Sequence, residues 1–384
     1  MGITIPISAN NFHYQSRNKA DYMNSFTPEA IRQHLSKLQD PELGFSYSDK
    51  RVLRELTIDE SQLNIRLVYP YLTEVKMQQR QETILKHIQV IWPDVRCKIE
   101  FKQHTNRHKV QNSVKPKFGV KNIIAVASGK GGVGKSTVAL NLALGLQALG
   151  ARVAILDADI YGPSLPRMLG QVGIKAEADG KNFVPVEGLG LQSMSMGYLV
   201  DEQTPMIWRG PMVSSALQQL LNDTAWQSCD YMILDLPPGT GDIQLTMAQK
   251  IPLSGAVVVT TPQDIALADV YKAYKMFEKL KIPVLGVIEN MSYHTCSECG
   301  HEEHIFGSGG GDKLVKDFGL DLLAQIPLSK SLREKEDLGE PVVTPSALTE
   351  DGQRFVTCAE KVAIKLACEE MELQAPIQKI KVSA

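Results

Sequence analysis

Residues 129–137, GKGGVGKST, decide the fold of this chain. They satisfy the spacing G-x-x-x-x-G-K-[ST], with Gly129, Gly134, Lys135 and Ser136 in register. The context is the one such a loop requires. An apolar run, NIIAVAS, precedes it, and a helix-forming stretch, STVALNLALGLQALG, follows. The glycines let backbone N–H groups of Gly131, Gly132, Val133 and Gly134 turn inward and cradle phosphate oxygens. The helix start adds partial positive charge. Lys135 is placed to reach the outer phosphates, Ser136 to ligate Mg²⁺, and Thr137 to follow them on the helix.

The same alternation continues outward from the loop. RVAILD, YMILD, GAVVVTTP and VLGVIEN are short, unbroken apolar runs, as expected for strands buried on both faces of a parallel sheet. Helical stretches at 135–149 and 266–280 lie between them. The fold class is therefore α/β, a doubly wound, mainly parallel sheet over residues 121–370. Carboxylates at the carboxyl ends of such strands face the ligand crevice. Asp157 and Asp159 end one strand in ILDADIYGPS, and Asp235 ends another in YMILDLPPGTGD. Asp235 fits the role of holding Mg²⁺, directly or through water. Asp157 is read equally well as purely structural. Asn290 closes VLGVIEN, where a strand-end cap is one reading.

Ahead of this domain, residues 27–101 read as a small α+β domain in the order α–β–β–α–β. Thr27 is placed as the N-cap of TPEAIRQHLSKL, with Pro28 at the first helical position and Ile31, Leu35 and Leu38 at helical spacing. DPELG supplies turn chemistry. VLRELTI, QLNIRLVY and RCKIEF read as strands, and VKMQQRQETILKHIQVIW as the second helix. Residues 102–120 are polar and basic and read as a solvated linker. Residues 1–26 read as a disordered tail and 371–384 as a C-terminal tail. Pro6 stands where a myristoylation motif wants Ser or Thr.

Composition narrows the class. The chain has 384 residues, 43% hydrophobic and 22% charged, and a formal net charge of −2. That leaves no whole-protein basic field to draw in nucleic acid or an anionic membrane. No run of about 18 apolar residues spans a bilayer, and no secretory signal opens the chain. Six cysteines in a chain of this size do not make a disulfide framework, so a reducing compartment is expected. Cys97, Cys229, Cys358 and Cys368 read as small buried residues or weakly exposed thiols.

One stretch asks for more than a nucleotide site. SYHTCSECGHEEH, residues 292–304, sets Cys296 and Cys299 three apart with His301 and His304 behind. C-x-x-C suits two thiolates on one metal or cluster. A structural zinc could use all four side chains, though one residue between Cys299 and His301 is tight. An iron–sulfur cluster prefers four thiolates, and a two-fold dimer brings two such pairs together.

The residues then match known patterns. KGGVGKS resembles the deviant phosphate loop of the MinD/ParA/nitrogenase-iron-protein class of dimeric ATPases. That resemblance implies that Lys130 crosses to the partner's phosphates in a homodimer, and that Asp159 positions or activates the attacking water. It also implies that Gly239 makes a backbone contact near the γ-phosphate and that Asn290 contacts adenine. With DADIYGPS, WRGPM (208–212), DLPPGTGD, IENMS and CSECG, the chain is similar to the Mrp/ApbC-type iron–sulfur cluster carrier ATPases, and DPELG to the iron–sulfur assembly domain often fused in front. What this implies is a homodimer with ATP, Mg²⁺ and weak ATPase activity. It would bind a labile [4Fe–4S] cluster through Cys296 and Cys299 and hand it from a scaffold or donor to apo-proteins. No cysteine follows DPELG, so no cluster ligand is assigned in that domain. Bacterial cytoplasm is the expected setting, with neither nucleic acid nor membrane as partner. A partitioning or positioning ATPase of the ParA/MinD kind, and an ATPase with a zinc knuckle, are the alternatives.

Overall fold

The computed structural model describes residues 26–59, 62–111, 114–200, 210–239, 241–340, 342–344 and 347–372. The expected tail up to residue 25, Trp208 and Arg209 of WRGPM, Thr240 and residues 373–384 lie outside the described residues. The chain divides into two compact units, one ending at Thr105 and the other beginning at Asn106.

In the first unit, α1 (Pro28–Leu35) starts on the Thr27 hydroxyl, which accepts the Ala30 N–H at 3.2 Å. The helix is shorter than the apolar spacing predicts. Leu38 lies beyond it, where its carbonyl accepts the Tyr47 N–H. Three strands follow: β1 (Leu53–Asp59), β2 (Gln62–Tyr69) and β3 (Arg96–Gln103), with α2 (Glu74–Gln89) between the last two. β1 pairs antiparallel and β3 parallel to β2. The DPELG turn is built on Asp40, whose carboxylate accepts the N–H groups of Glu42 and Leu43 at 3.0 Å each. It also takes the Tyr69 hydroxyl at 2.9 Å and the Arg80 guanidinium at 2.8 Å. A buried carboxylate is tolerated there because every oxygen is satisfied and a cation lies beside it.

In the second unit, β4 (Val120–Ser128) leads through the phosphate loop to α3 (Lys135–Ala148) and β5 (Val153–Asp157). The short helix α4 (Leu165–Met168) follows, then a hairpin of β6 (Ala178–Asp179) and β7 (Asn182–Phe183), then β8 (Val186–Gly188) and β9 (Leu191–Met194). Next come α5 (Gly210–Asp223), β10 (Cys229–Asp235), α6 (Asp242–Lys250), β11 (Gly255–Thr260), α7 (Asp264–Lys279) and β12 (Val284–Asn290). A second hairpin, β13 (His294–Thr295) and β14 (Glu302–Glu303), precedes α8 (Gly310–Phe318), β15 (Leu322–Ile326), α9 (Lys330–Asp337) and α10 (Glu350–Cys368).

The main sheet runs β15-β12-β11-β4-β10-β5-β9-β8. All its neighbouring pairs are parallel except β8 with β9. β11 is buried along its whole length, as are β5 and most of β4, which is why their sequences are apolar throughout rather than alternating. β8, β9 and β15 went unread in the sequence: they are short, and polar residues such as Gln192 and Gln325 interrupt them. α3 is buried on all sides, and α10 lies along it. Gly145 allows that approach, since a Cβ there would come within 2.9 Å of the Phe355 carbonyl oxygen.

Part of the expected linker is not a solvated tether. Residues 102 and 103 finish β3. Beyond them, His108 is buried and its ring nitrogen Nδ1 lies 3.1 Å from Asn122 Oδ1, while Gln111 donates to the Ala248 carbonyl at 2.7 Å. Among the described residues, no helix is long and apolar enough to cross a membrane.

Candidate functional site

The phosphate loop leaves β4 at the carboxyl edge of the sheet. Gly129 has no room for a side chain, because a Cβ would press on the backbone of Asp269. Gly132 and Gly134 take φ values of +80° and +75°, a left-handed backbone that glycine adopts without strain. Gly134 then caps α3, and Lys135 begins it. The N–H groups of a helix's first turn have no partner within the helix, which is what a phosphate site uses.

Strand register brings the acidic residues together. Asp157 and Asp235 are direct partners across β5 and β10, and both are fully buried. The Lys135 ammonium pairs with Asp235 Oδ1. Asp235 Oδ2 is buried with no partner. Asp157 uses one oxygen to accept the Asp159 N–H and the other to accept the Ser195 hydroxyl, each at 3.0 Å. Burial, then the Asp235 charge, pushes its carboxyl well above the usual carboxylate range, with Lys135 pulling it back. Asp159 is half-buried, and burial raises it too, offset by Lys135. Its carboxylate takes backbone N–H groups from Gly162 and Tyr161.

Several expected contacts have present partners. Lys130 donates to the Gln263 side-chain oxygen at 3.0 Å, and its own carbonyl accepts the Ser128 hydroxyl at 2.9 Å. Gly239, at φ +97°, donates its N–H to the Ser128 carbonyl at 3.2 Å. The Asn290 amide donates to the Val133 carbonyl at 2.9 Å, so the end of β12 braces the phosphate loop. Ser136 lies 3.4 Å from the Lys135 ammonium, and the Thr137 hydroxyl donates to Glu336 at 2.7 Å.

The donor set suits Mg²⁺. Ser136 offers a hydroxyl, and Asp235 Oδ2 is a buried carboxylate oxygen with nothing yet bonded to it. Those two groups would hold the ion, whose chemistry is to neutralise phosphate charge.

The cysteines sit in the turn of a hairpin whose first strand starts at His294, four residues after Asn290. β13 and β14 pair His294 with Glu303 and Thr295 with Glu302. The Cys296 N–H donates to the His301 carbonyl and the Gly300 N–H to the Cys296 carbonyl, each at 2.9 Å, closing the turn around Gly300 at φ +71°. The Cys296 sulfur receives the backbone N–H groups of Cys299 and Glu298, and these lower its pKa from the ordinary thiol value. Cys299 is exposed. The two histidines do not converge on the thiols. His304 Nδ1 lies 3.2 Å from the Ser292 carbonyl oxygen, and among the described residues no group of three or more His, Cys, Asp or Glu is assembled to hold a metal ion. The turn thus presents two thiols, Cys296 and Cys299, at its surface.

Three residues at the site escaped the sequence reading: Ser195, Gln263 and Glu336. Only Glu336 left a trace, lying four residues after the buried Leu332 on a helix otherwise rich in exposed charge.

Residues 119–363 match the family described as NUBPL iron-transfer P-loop NTPase. Residues 28–101 match the family described as iron–sulfur cluster assembly protein. The chain is 57% identical over 249 residues to an iron–sulfur cluster carrier protein of Haemophilus influenzae, covering 65% of this chain and 67% of that protein. It is 46% identical over 350 residues to one of Escherichia coli, covering 88% of this chain and 94% of that protein. A nucleotide-binding protein of Archaeoglobus fulgidus, solved in complex with ADP, is 38% identical with a TM-score of 0.52, covering 58% of this chain and 88% of that one.

Proposed function

The chain belongs to the family of NUBPL-type iron-transfer P-loop NTPases, and on that premise we propose that it is a nucleotide-binding iron–sulfur cluster carrier. The observation that carries this reading is the Cys296–Cys299 turn. It holds two thiols, one of them favoured as thiolate by backbone N–H groups, on a hairpin that follows directly from the strand end bracing the phosphate loop. Two thiols from each of two chains make the four that a [4Fe–4S] cluster takes. A cluster shared between subunits can be let go when they part, which a carrier needs. Apo iron–sulfur proteins are then the partners that receive it, and a scaffold or donor supplies it.

In this reading the nucleotide sets the state of the dimer. The loop N–H groups and α3 hold the phosphates, Lys135 reaches the outer ones, and Asp159 orients water at a slow hydrolysis step. Lys130 supplies its charge across the interface, so hydrolysis waits for the dimer. Release from Gln263 frees its ammonium for that role. Asn290, which braces the phosphate loop, would contact the adenine. A bacterial cytoplasm is the setting we propose, where the thiols stay reduced. A partitioning or positioning ATPase gives Cys296 and Cys299 no task.

The test is anaerobic reconstitution with iron and sulfide, beside the Cys296→Ala/Cys299→Ala form. We expect about four irons and four sulfides per dimer, lost in the double variant, and transfer to an apo-protein. Stoichiometric zinc without sulfide would overturn the carrier reading.

A further inference from the structure

Thr137 is the third residue of α3, where the phosphate loop becomes helix. Its hydroxyl does not turn towards the loop but donates to Glu336 Oε2 at 2.7 Å. One turn further on, the Asn141 amide donates to Glu336 Oε1 at 2.6 Å. Both carboxyl oxygens of one side chain on α9 therefore grip the first two turns of the phosphate-loop helix. Glu336 is only 7% exposed.

The placement is costly by ordinary rules. A buried carboxylate is retained when a cation pairs with it. Here both donors are neutral, and among the described residues no cation pairs with the group. The ionisable residues of the elements packed against it are few. Lys135 on α3 is committed to Asp235, and Arg167 on α4 is exposed. On α9 itself, Asp337 adds like charge. A leucine or glutamine would satisfy the packing at lower cost, so the carboxylate needs another reason. Its position supplies one. A helix N-terminus attracts anions, and the loop in front of Thr137 is where nucleotide phosphates sit. A negative charge buried behind the same helix end opposes them.

We propose that Glu336 is a positioning residue of the nucleotide site, weakening the hold on a nucleoside di- or triphosphate through its charge and its grip on Thr137. The inference rests on the phosphate-loop reading above. Its effect depends on protonation. Burial is the main reason that this carboxyl is pushed up to about 7; the Thr137 and Asn141 bonds pull it down and Asp337 pushes it further up. The group is neutral at mildly acid pH and charged above neutrality, so its opposition to phosphate switches on across that range.

The test is equilibrium binding of MgADP to the full chain and to Glu336→Gln at about pH 6 and about pH 8. Comparing the two proteins at each pH removes the nucleotide's own titration. We expect the Gln form to bind about three- to tenfold tighter at the higher pH and alike, within about twofold, at the lower. Glu336→Asp keeps the charge and should keep the loss of affinity between the two pH values. This second variant also serves if the Gln form does not fold. An unchanged ratio at both pH values, or an Asp form that behaves like Gln, would overturn the proposal. Binding by neither the unmodified chain nor any variant would overturn it together with the nucleotide site itself, a result easily told apart from an unchanged ratio.

Discussion

Asp157 and Asp235 stand directly opposite each other at the carboxyl ends of two neighbouring parallel strands, both out of water. The Lys135 ammonium, paired with Asp235, offsets this concentration of negative charge. Removing one partner of a buried pair costs about 3–5 kcal/mol, because the other charge stays behind unpaired. Lys135→Met should therefore lower the chemical-denaturation midpoint as well as abolish hydrolysis. The sign with pH follows from Asp157. A carboxyl raised in the folded state contributes stability at low pH that is lost as pH rises, so the Lys135→Met deficit should widen from about pH 5 to about pH 8. Adding Asp235→Asn should restore stability but not hydrolysis. A midpoint indifferent to the single change would show that the pair carries no structural burden.

Glu336 adds a second titration of the same sign. The ordinary glutamate value is 4.5, and burial raises this one to about 7. Between those values the folded chain binds more protons than the unfolded chain, so stability falls as pH rises through them and is level above. Glu336→Gln removes that slope. Its unfolding free energy should match the unmodified chain near about pH 4 and exceed it at about pH 8, by up to about 3 kcal/mol. Equal curves at all pH values would mean that the carboxyl titrates normally.

The cysteines should separate by reactivity. Backbone N–H groups lower the Cys296 thiol, while burial pushes Cys97 and Cys358 up to about 12 and Cys229 up to about 11. Brief treatment of the native, cluster-free protein with iodoacetamide near neutral pH should label Cys296 well before those three, as read by peptide mass spectrometry. Equal labelling of Cys358 would show that the turn does not prepare its sulfur.

What was readable in the sequence follows from what sequence patterns report. Five apolar runs marked the central strands because burial on both faces leaves few polar positions in them, mostly at their ends. The glycines and Lys135 marked the phosphate loop because that backbone tolerates few substitutes, and Cys296 and Cys299 were visible as a spaced pair. Thr137–Glu336, Lys130–Gln263 and Asp157–Ser195 were not. Each joins polar residues between 38 and 199 positions apart, and hydrophobic periodicity carries no information about such a partner. Residues 106–111 misled for the same reason. They are polar, yet His108 and Gln111 pack by hydrogen bonding rather than by apolar burial.

Lys130 gives the sharpest test of the dimer. Its ammonium is held within its own chain by Gln263, whereas the proposed function sends it to the partner's nucleotide. Lys130→Ala and Asp159→Asn should each hydrolyse ATP far more slowly than the unmodified chain. Mixed, they form heterodimers in which one site combines the intact Asp159 of the first chain with the intact Lys130 of the second. The other site lacks both. Random pairing makes half the dimers mixed, so an equal mixture should recover about a quarter of the unmodified rate. If Lys130 acted within its own chain, both sites of the mixed dimer would stay broken and mixing would recover nothing.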